Sequence, residues 1–296
     1  MTRDPHRAPL DATTLCRDLV APAGPLARLD VVDVSGSTNA DLVEAVRRTP
    51  QEWPAPAALV AEHQVAGRGR AGRAWQTPPR AALTVSVLLR PRLAPARLGW
   101  LPLLAGLAVV RAVDAAGTTR AGTALKWPND VLLPAADDVP GLGPFRKVAG
   151  VLAEVVPGAS GAAPAVVVGV GLNVDQSAAE LPVPTATSLA LAGVGGERAA
   201  LLGGLVRELV GAVARLEGAG GDAAAAGLAA EYAARSATLG TTVRAELAGG
   251  SEAVEGEALR VAADGALVIA TPDGEQTVTA GDVHHLRRSQ PGHSGR

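Results

Sequence analysis

The sequence predicts an α+β protein in which a mixed β-sheet with covering helices is followed by a small β-rich unit at the C-terminal end. From about residue 28 to residue 195, apolar segments of strand length alternate with helical segments. A helical region then spans residues 197–234, and beyond Leu239 short strands are separated by Gly-Gly and Asp-Gly turns. With 296 residues, of which 48% are hydrophobic, the chain can bury one large core and a smaller companion.

The N-terminal region predicts a leader followed by a strand–loop–helix unit. Residues 1–27 contain several prolines and little periodicity, so we expect a loose leader with a short helix near Leu15–Val20. LDVVDV follows as a strand, and SGSTN is a turn rich in capping residues. The segment ADLVEAVRR is amphipathic and predicts a helix that begins at this turn.

The middle of the chain predicts two strands, a buried helix and a broken extended segment. Residues 57–64 form a strand that runs into a glycine–arginine segment, and residues 82–91 form another that ends at Pro91. The apolar segment 98–116 predicts a buried helix. Residues 123–133 read as two extended pieces joined by a turn, and we expect an irregular loop over 134–146.

The C-terminal half predicts paired strands, two helices and a small barrel. Residues 147–156 and 164–174 read as strands joined by GASGA, and four or five short strands follow the helical region. The predicted domains are a leader (1–27), a main catalytic domain (28–237), a C-terminal domain (238–289) and a disordered tail (290–296).

Composition limits the classes of function. The formal net charge is −2 and the sequence pI is about 6.2, so no overall field favours nucleic acid and any anion site must be local. Cys16 is the only cysteine, which excludes an intramolecular disulfide and a cysteine metal cluster. The first residues lack the apolar stretch of a signal peptide, and the longest apolar run, 98–110, is too short to span a bilayer. We therefore expect a cytoplasmic protein without membrane or nucleic-acid partners.

The segment GRGRAGRAW, residues 67–75, concentrates arginines on flexible backbone between two predicted strands. A solvated loop is the simplest reading, and arginine–glycine segments also bind RNA without folding. Guanidinium groups grip phosphate and carboxylate in two-point contacts, and glycine lets backbone N–H groups approach an anion. We expect a loop that becomes ordered around an anionic ligand, because the entropy of ordering makes its grip depend on that ligand.

Four further sites carry chemistry at the ends of predicted strands. In KWPND a lysine and an aspartate flank a turn, which suits a phosphate and a Mg²⁺ ion or ribose, although Pro and Asn-Asp are also ordinary turn residues. GVGLNV ends in Asn173 but lacks the Rossmann fingerprint. SGSTN can cap a helix and bind a small polar group at once, and Lys147 opens an apolar strand. The five histidines show no metal-ligand spacing.

Together these motifs resemble those of the biotin–protein ligases. GSTN, a strand ending in Gln before GRGRAGRAW, a strand closing in LLRP, KWPND, KVAGVL and GVGLNV occur in that family's order, over about residues 28–288. LGTTV, DGAL and DVHHLR resemble the small SH3-like domain of the same family. The resemblance implies the class II synthetase-like mixed sheet of biotin and lipoate ligases with helices, plus a small C-terminal SH3-like β-barrel.

The resemblance also implies a two-step reaction. The carboxylate of biotin attacks the α-phosphate of ATP, giving biotinyl-5′-AMP and pyrophosphate with Mg²⁺ as cofactor. A lysine of a biotin carboxyl carrier protein, such as that of acetyl-CoA carboxylase, then attacks the mixed anhydride. Two anions meet in the first step, so cations are needed to stabilise the developing charge.

The residues matching the family's motifs fall into three implied groups. Catalysis is assigned to Lys147, Arg70 and Lys126. Biotin binding is assigned to Ser37, Thr38, Asn39, Gln64, Gly67, Arg68, Gly69, Arg70, Lys147 and Gly150. Binding of ATP and the adenylate is assigned to Arg73, Trp75, Lys126, Asn129, Asp130 and Asn173, with Asp130 also the candidate Mg²⁺ ligand.

Departures from the family pattern limit the activities that we expect of this chain. Repressor members begin with a helix-turn-helix domain of about 60 residues, whereas GSTN here starts at Gly36. We therefore expect a ligase without operator binding, acting as a monomer or a ligand-dependent homodimer. Arg80 stands where a small residue is more typical, and the insert 134–146 obscures where Lys147 lies.

Three alternatives stay open. A lipoate–protein ligase would use the same chemistry on another acid, although GRGRAGR with KWPND favours biotin. A nucleic-acid-binding module would use the glycine–arginine loop, against which the net charge argues. A catalytically inactive biotin sensor is disfavoured because Lys126 and Lys147 are both present.

Overall fold

The central element of the protein is a seven-stranded mixed sheet. The computed structural model describes residues 7–117, 122–158, 163–247, 253–279 and 281–286. In the sheet, β1 and β2 pair in parallel and the remaining neighbours pair antiparallel, in the order β1-β2-β3-β7-β6-β5-β4. The strands are β1 (Arg28–Ser35), β2 (Ala57–Gln64), β3 (Ala82–Leu89), β4 (Ala124–Lys126), β5 (Asp130–Val139), β6 (Gly143–Val156) and β7 (Ala165–Asn173).

Helices cover both faces of this sheet. They are α1 (Ala12–Leu19), α2 (Thr38–Arg48), α3 (Leu101–Ala116), α4 (Arg198–Gly218) and α5 (Leu228–Arg235). The apolar side of α2 packs on one face with Trp53, while α3 and α4 pack together over the other in the larger core. Because the core has few aromatic residues, it is filled mainly by Leu, Val and Ala. These findings confirm the predicted α+β class.

One helical segment, Pro95–Ala116, is long and apolar enough to cross a membrane. Its N-terminal residues form a 3₁₀ turn that leads into α3. In its most apolar window 67% of the residues are buried inside the protein. The apolar character of this segment is therefore accounted for by its place between the sheet and α4.

The C-terminal unit is a five-stranded antiparallel sheet with the order β11-β10-β9-β8-β12. Its strands are β8 (Thr242–Leu247), β9 (Ala253–Val261), β10 (Leu267–Thr271), β11 (Gly274–Val278) and β12 (Gly281–His285). Two indole N–H groups of the main domain donate to carbonyls of this unit: Trp100 Nε1 to Ala262 at 3.1 Å and Trp127 Nε1 to Gly265 at 3.0 Å. The unit is thus bonded directly to the segment that carries KWPND.

The N-terminal residues are packed rather than loose, which corrects one expectation. The short helix is present as α1, and Leu15 and Leu19 are buried in the main core. Before it, the backbone N–H of Leu10 donates to Glu62 and the guanidinium of Arg198 donates to the carbonyl of Ala8. Residues 7–27 therefore belong to the main body, because buried polar partners hold them there.

The insert 134–146 is a hairpin rather than an irregular loop, which corrects a second expectation. It lengthens β5 and β6, with Pro134 opposite Phe145 and Val139 opposite Gly143, and the register shifts between these two pairs. Arg146 donates to the backbone carbonyl and the carboxylate of Asp137 at 3.0 and 2.8 Å, which ties the two strands together. The hairpin thus projects from the sheet edge that also carries KWPND.

Three predictions concern residues outside those described. They are the disordered tail, most of the GASGA connection and the end of DVHHLR. The domain boundaries stay predictions.

Candidate functional site

One cavity of about 560 Å³ gathers nearly all the residues singled out in the sequence. Its walls come from the start of α2, the end of β2, the glycine–arginine loop, the turn between β4 and β5, and the facing strands β6 and β7. Every predicted site residue except Gly67 lines it: Ser37, Thr38, Asn39, Gln64, Arg68, Gly69, Arg70, Arg73, Trp75, Lys126, Asn129, Asp130, Lys147, Gly150 and Asn173.

One end of the cavity is an uncharged hydrogen-bonding network. The backbone N–H and the hydroxyl of Thr38 donate to Oε1 of Gln64 at 2.7 and 3.0 Å. Gln64 thereby satisfies an N-terminal backbone group of α2, since Ser37 at the N-cap makes no side-chain capping bond. Ser86, buried on β3, lies 2.8 Å from the Thr38 hydroxyl. These groups suit a small neutral ligand rich in N–H and C=O groups.

Asn39 braces this end. Its Oδ1 accepts from Ser86 at 2.6 Å, while its Nδ2 donates to the carbonyl of Leu152 at 3.0 Å and to Glu154 at 2.8 Å. The side chain is buried, and a Cβ on Gly169 would come within 2.2 Å of its Oδ1. These bonds occupy much of the amide's capacity, so Asn39 shapes the pocket mainly by holding α2 against β6.

The glycine–arginine loop is a narrow hairpin. Trp75 N–H donates to the carbonyl of Gly67 at 2.8 Å, and Gly69 N–H donates to that of Arg73 at 2.6 Å. Gly67 is required here because a Cβ would lie 2.4 Å from the Trp75 carbonyl oxygen. The tip contains Ala71 at φ +52°, a left-handed conformation that costs energy for a residue with a Cβ. Gly67 therefore permits the shape of the loop without lining the cavity itself.

Glycines on the neighbouring strands make room for the Trp75 ring. A Cβ on Gly171 would come within 2.4 Å of the indole Cε2, and one on Gly150 within 3.4 Å of its Cζ3. The Nζ of Lys147 lies 6.0 Å from the ring centroid, at the limit of a cation–π contact. The Trp75 Nε1 is buried without a hydrogen-bond partner, so this indole has a donor available to a ligand.

The cationic part of the cavity is centred on Lys147. Its Nζ lies 2.6 Å from Oδ1 of Asp130, close enough for an ion pair although the contact lacks hydrogen-bond geometry. Lys126 is the last residue of β4 and Asp130 is the first residue of β5, so the two flank the turn between these strands. Asn129 donates to the carbonyl of Val151 at 3.0 Å, so its amide braces the turn against β6. Opposite charges therefore meet where a reacting anion can replace the carboxylate as the partner of the lysine.

Asn173 orders the remaining wall. Its Nδ2 donates to the carbonyl of Thr187 at 2.9 Å, and its Oδ1 accepts from Gln176 at 2.8 Å. The backbone of Lys147 also exchanges two bonds with this segment, donating to Thr185 and accepting from Thr187, both at 2.8 Å. Residues 182–186 are thereby fixed as a side of the cavity, and the amide of Asn173 holds that side in place.

Several residues of the site were not predicted from the sequence. Ser86 has a readable signal, because a serine within the apolar strand ALTVSVLL must find a buried partner. Gly169 and Gly171 are two residues apart, so they lie on the same face of β7. Glycines in a strand often mark a surface that another group approaches closely. Residues 140–142, 182–186 and His284 reach the cavity only through tertiary packing.

The carboxylates of the cavity decide whether it could hold Mg²⁺. No group of three or more His, Cys, Asp or Glu side chains that could hold a metal occurs among the described residues. Asp130 nevertheless presents a buried Oδ1 that makes no hydrogen bond. Because Mg²⁺ is commonly held by one or two carboxylates with substrate phosphates and water, Asp130 fits an ion that arrives with a nucleotide.

Comparisons with known proteins match both parts of the chain. The model of the biotin/lipoate A/B protein ligase family matches residues 33–173, and that of the biotin protein ligase C-terminal domain matches residues 238–286. The chain is 41% identical over 288 residues to the biotin–[acetyl-CoA-carboxylase] ligase of Mycobacterium tuberculosis, covering 96% of this chain and 99% of that one. It is 34% identical over 188 residues to the bifunctional ligase/repressor BirA of Escherichia coli, covering 63% of this chain and 52% of that one.

A solved structure shows the same fold. The biotin protein ligase of Aquifex aeolicus in complex with biotin and ATP aligns with a TM-score of 0.65 and 26% identity, covering 89% of this chain and 99% of that chain. The alignment spans both the seven-stranded sheet and the C-terminal sheet, since so little of either chain is left out.

Proposed function

Because the chain belongs to the biotin protein ligase family, we infer that its cavity joins biotin to a lysine of a carrier protein at the expense of ATP. In the first step a carboxylate oxygen of biotin forms a bond to the α-phosphorus of ATP, and the bond to the β-phosphate oxygen breaks, releasing pyrophosphate. In the second, a lysine amine attacks the carbonyl carbon of biotinyl-5′-AMP, loses a proton and expels AMP. The observation that carries this inference is a single cavity with an uncharged end, a cationic centre and an aromatic wall.

The uncharged end suits the ureido ring of biotin. Ser37, Thr38 and Gln64 offer hydroxyl and amide groups without a formal charge, and the glycines of β7 leave space beside them. We propose that these three residues bond the ring, while Asn39 holds α2 in place. A neutral ring that both donates and accepts hydrogen bonds is matched by such groups, whereas an apolar ring would leave them unpaired.

The cationic centre suits the reacting groups. We propose that Lys147, with Arg68 and Arg70 from the loop, screens the approach of the biotin carboxylate to the α-phosphate. Their charges stabilise the negative charge that builds on the phosphorus oxygens. Asp130 would be the residue to hold a Mg²⁺ ion that accompanies ATP, once the substrate anions replace it as the partner of Lys147. When bound, that ion would neutralise phosphate charge.

The aromatic wall suits the nucleotide. We propose that Trp75 covers the adenylate, with its buried Nε1–H as a donor, and that Asn173 fixes the segment 182–186 on the other side. Arg73 and Lys126 approach from the loop and from β4. Stacking between a base and an indole contributes about 1–3 kcal/mol and tolerates different bases, so Asn173 and its neighbours would supply the selection.

The glycine–arginine loop would retain the biotinyl-5′-AMP intermediate. A mixed anhydride hydrolyses in water, so it must stay enclosed until an amine arrives. The loop's hairpin lines the cavity, and Arg70 does so from the hairpin tip. We propose that Arg70 holds the phosphate of biotinyl-5′-AMP and thereby keeps the loop closed over it.

The second substrate is a carrier protein. The relatives from Mycobacterium tuberculosis and Paracoccus denitrificans are biotin–[acetyl-CoA-carboxylase] ligases. We propose that this chain biotinylates the carrier domain of a biotin-dependent carboxylase in the cytoplasm, as a monomer or a ligand-dependent homodimer, and that it does not act on DNA.

The deciding experiment offers the full chain ATP, Mg²⁺ and a carrier domain with either biotin or lipoate, and measures the mass of the carrier. We expect the mass gain of one biotinyl group, on one lysine, and only with ATP present. A gain with lipoate alone would identify a lipoate-type ligase instead. No gain with either acid, together with salt-dependent RNA binding, would instead support the nucleic-acid alternative.

A further inference from the structure

The inserted hairpin of β5 and β6 reaches the C-terminal sheet. At its tip Leu142 N–H donates to the carbonyl of Val139 at 3.2 Å, which closes the turn. Gly141 and Gly143 occupy left-handed conformations with φ of +78° and +60°, where a side chain would be strained. Arg146 donates hydrogen bonds to Asp137 on the opposite strand, which holds the two strands of the hairpin together. Its tip therefore has a defined position.

The tip pairs with strand β12. Gly141 and His285 form an antiparallel bridge in which the His285 N–H donates to the Gly141 carbonyl at 3.3 Å. The neighbouring imidazole of His284 faces the same glycine, because a Cβ placed on Gly141 would lie 3.4 Å from its Nδ1. The insert thus connects the main domain to the C-terminal sheet at one point and sets the place of His284.

This contact lies at the Lys126 side of the cavity. The hydroxyl of Thr238 accepts from the N–H of Trp127, the residue after Lys126, at 3.1 Å and lies 3.3 Å from His285 Nε2. Burial, and then the nearby charge of Lys126, lower the pKa of His285 to about 4, so its imidazole is neutral at pH 7. His284 is half exposed beside it, with its Nε2 3.9 Å from Oε2 of Glu246, and lines the cavity together with the hairpin tip.

The reaction needs a place for the leaving group at this side. The attacking carboxylate and the departing oxygen lie roughly in line through the phosphorus. If biotin occupies the uncharged end and the adenylate lies against Trp75, the pyrophosphate must extend away from both. Residues 140–142 and His284 line the cavity as well, and they adjoin Lys126, because His285, which is bridged to Gly141, lies within reach of the Lys126 charge.

We propose that the hairpin tip and His284 form the wall that receives the β- and γ-phosphates of ATP, with His284 donating a hydrogen bond to them. Gly141 is a positioning residue in this arrangement, because its missing side chain and its bond to His285 leave the imidazole room beside the tip. The inference rests on the proposed function. It assigns the insert to the first step only, because pyrophosphate has left before the carrier lysine reacts.

The test separates the two steps. For His284→Ala we expect KM for ATP to rise about tenfold or more, as for loss of a hydrogen bond to a charged group. KM for biotin, and the rate of transfer to the carrier from supplied biotinyl-5′-AMP, should stay at the wild-type values. Gly141→Ala should act in the same direction, because the added methyl group lies against His284.

Gly143→Ala is the matched control. It places the same methyl group at a similar left-handed φ but with no atom within 4 Å, so KM for ATP should remain at the wild-type value. An unchanged KM for ATP in both His284→Ala and Gly141→Ala would overturn the proposal. Equal slowing of transfer from supplied biotinyl-5′-AMP would overturn it too, since it would indicate a purely structural role. If wild type itself forms no biotinyl-5′-AMP, the proposed function fails rather than this inference alone.

Discussion

The ammonium group of Lys147 lies 2.6 Å from Asp130 Oδ1, so the cation assigned to the reacting phosphate is held by a carboxylate across neighbouring strands of the sheet edge. Lys147→Gln removes the charge and leaves a polar side chain that is slightly shorter. We expect the rate of biotinyl-5′-AMP formation to fall by about 10²–10³, as when a preorganised group at a developing anion is removed. Pyrophosphate release without carrier measures this step.

The matched control for Lys147→Gln removes a cation from a surface ion pair outside the cavity lining. Arg260, on β9, pairs with Glu275 at 2.6 Å with both side chains more than half exposed, and Arg260→Gln should leave the rate unchanged. A Lys147→Gln protein that folds as wild type and retains more than about a third of the rate would exclude an electrostatic role of this size.

Two glycines on β7 allow the two ends of the cavity to be tested separately. Gly169→Ala would place a methyl group 2.2 Å from Asn39 Oδ1, whereas Gly171→Ala would place it 2.4 Å from Cε2 of Trp75. Such distances require the neighbour to move. We expect Gly169→Ala mainly to raise KM for biotin and Gly171→Ala mainly to raise KM for ATP, each by about tenfold or more for displacement of a stacked or hydrogen-bonded group.

Steady-state titration of each substrate at saturating levels of the other checks this pair. Each glycine variant serves as the control for the other, because both add one methyl group to the same strand. Equal changes in both KM values, or the reverse assignment, would mean that the two ends of the cavity are not divided as proposed.

The sequence predicted the sheet, its covering helices and about half of the residues that line the cavity, because each of these lies in or beside an element with its own strong pattern. The capping turn, the glycine–arginine segment and KWPND stand at the ends of apolar strands, and strand ends converge at one edge of a sheet. Their signals are local, so they survive without knowledge of the tertiary fold.

The inserted hairpin was not predictable in the same way. PAADDVPGLGPFR contains three prolines and two glycines, which favour a loop by local preference. Its strand pairing depends on β5 and β6 already being neighbours, with Arg146 binding Asp137 across the pair. The uses of Asn39 and Asn173 were hidden for a related reason, since their partners Leu152 and Thr187 are distant in sequence or lie in irregular segments.

Arg70 gives a prediction about escape of the intermediate. Arg70→Gly removes the guanidinium that lines the cavity from the loop, so biotinyl-5′-AMP should leave before it meets the carrier. We expect increased biotinylation of a bystander protein such as albumin, and faster loss of bound intermediate, measured by mass spectrometry. Ala71→Gly is the control, because it loosens the same loop without removing a charge and also relieves the left-handed φ of +52°.

A result in which Arg70→Gly holds biotinyl-5′-AMP as long as wild type would remove Arg70 from this role. Equal leakage from Ala71→Gly would instead attribute retention to the stiffness of the loop.

A buried ion pair gives a prediction about stability. Arg198 and Glu62 meet at 2.6 Å with side chains only 6% and 5% exposed, and Glu62 also accepts from the backbone of Leu10. Arg198→Met leaves Glu62 buried without its cation, so we expect the free energy of unfolding to fall by about 3–5 kcal/mol. Urea denaturation followed by circular dichroism measures it.

Arg17→Ala is the comparison for that change, since Arg17 pairs with Asp18 while 70% exposed and its loss should leave the urea midpoint in place. The double variant Glu62→Leu/Arg198→Met should recover part of the loss, because it removes the unpaired charge. If Arg198→Met unfolds at the wild-type urea concentration, the pair does not hold the N-terminal residues to the main body.

The buried imidazole of His285 makes stability depend on pH. Burial and then the charge of Lys126 lower the pKa of His285 to about 4 from its usual value of 6.5, so the unfolded chain binds a proton more readily than the folded one between these values. The contribution of neutral His285 to the free energy of unfolding is complete above pH 6.5 and is lost as the pH falls toward 4. The total loss is at most about 3 kcal/mol. Between pH 7 and pH 5 the loss should be about 2 kcal/mol.

Urea unfolding at pH 7 and pH 5 compares wild type with His285→Gln, which keeps an amide beside Thr238 but cannot titrate. The comparison stops at pH 5 because Glu180 also makes stability depend on pH below that value. Arg7 lowers the pKa of folded Glu180 to about 2, so its contribution to the free energy of unfolding is lost mainly below the unfolded pKa near 4.5. The variant should therefore be less sensitive to pH than wild type across this range. Parallel losses in the two proteins would mean that His285 is solvated in the folded state, and hence that the contact between β12 and the hairpin tip is open in solution.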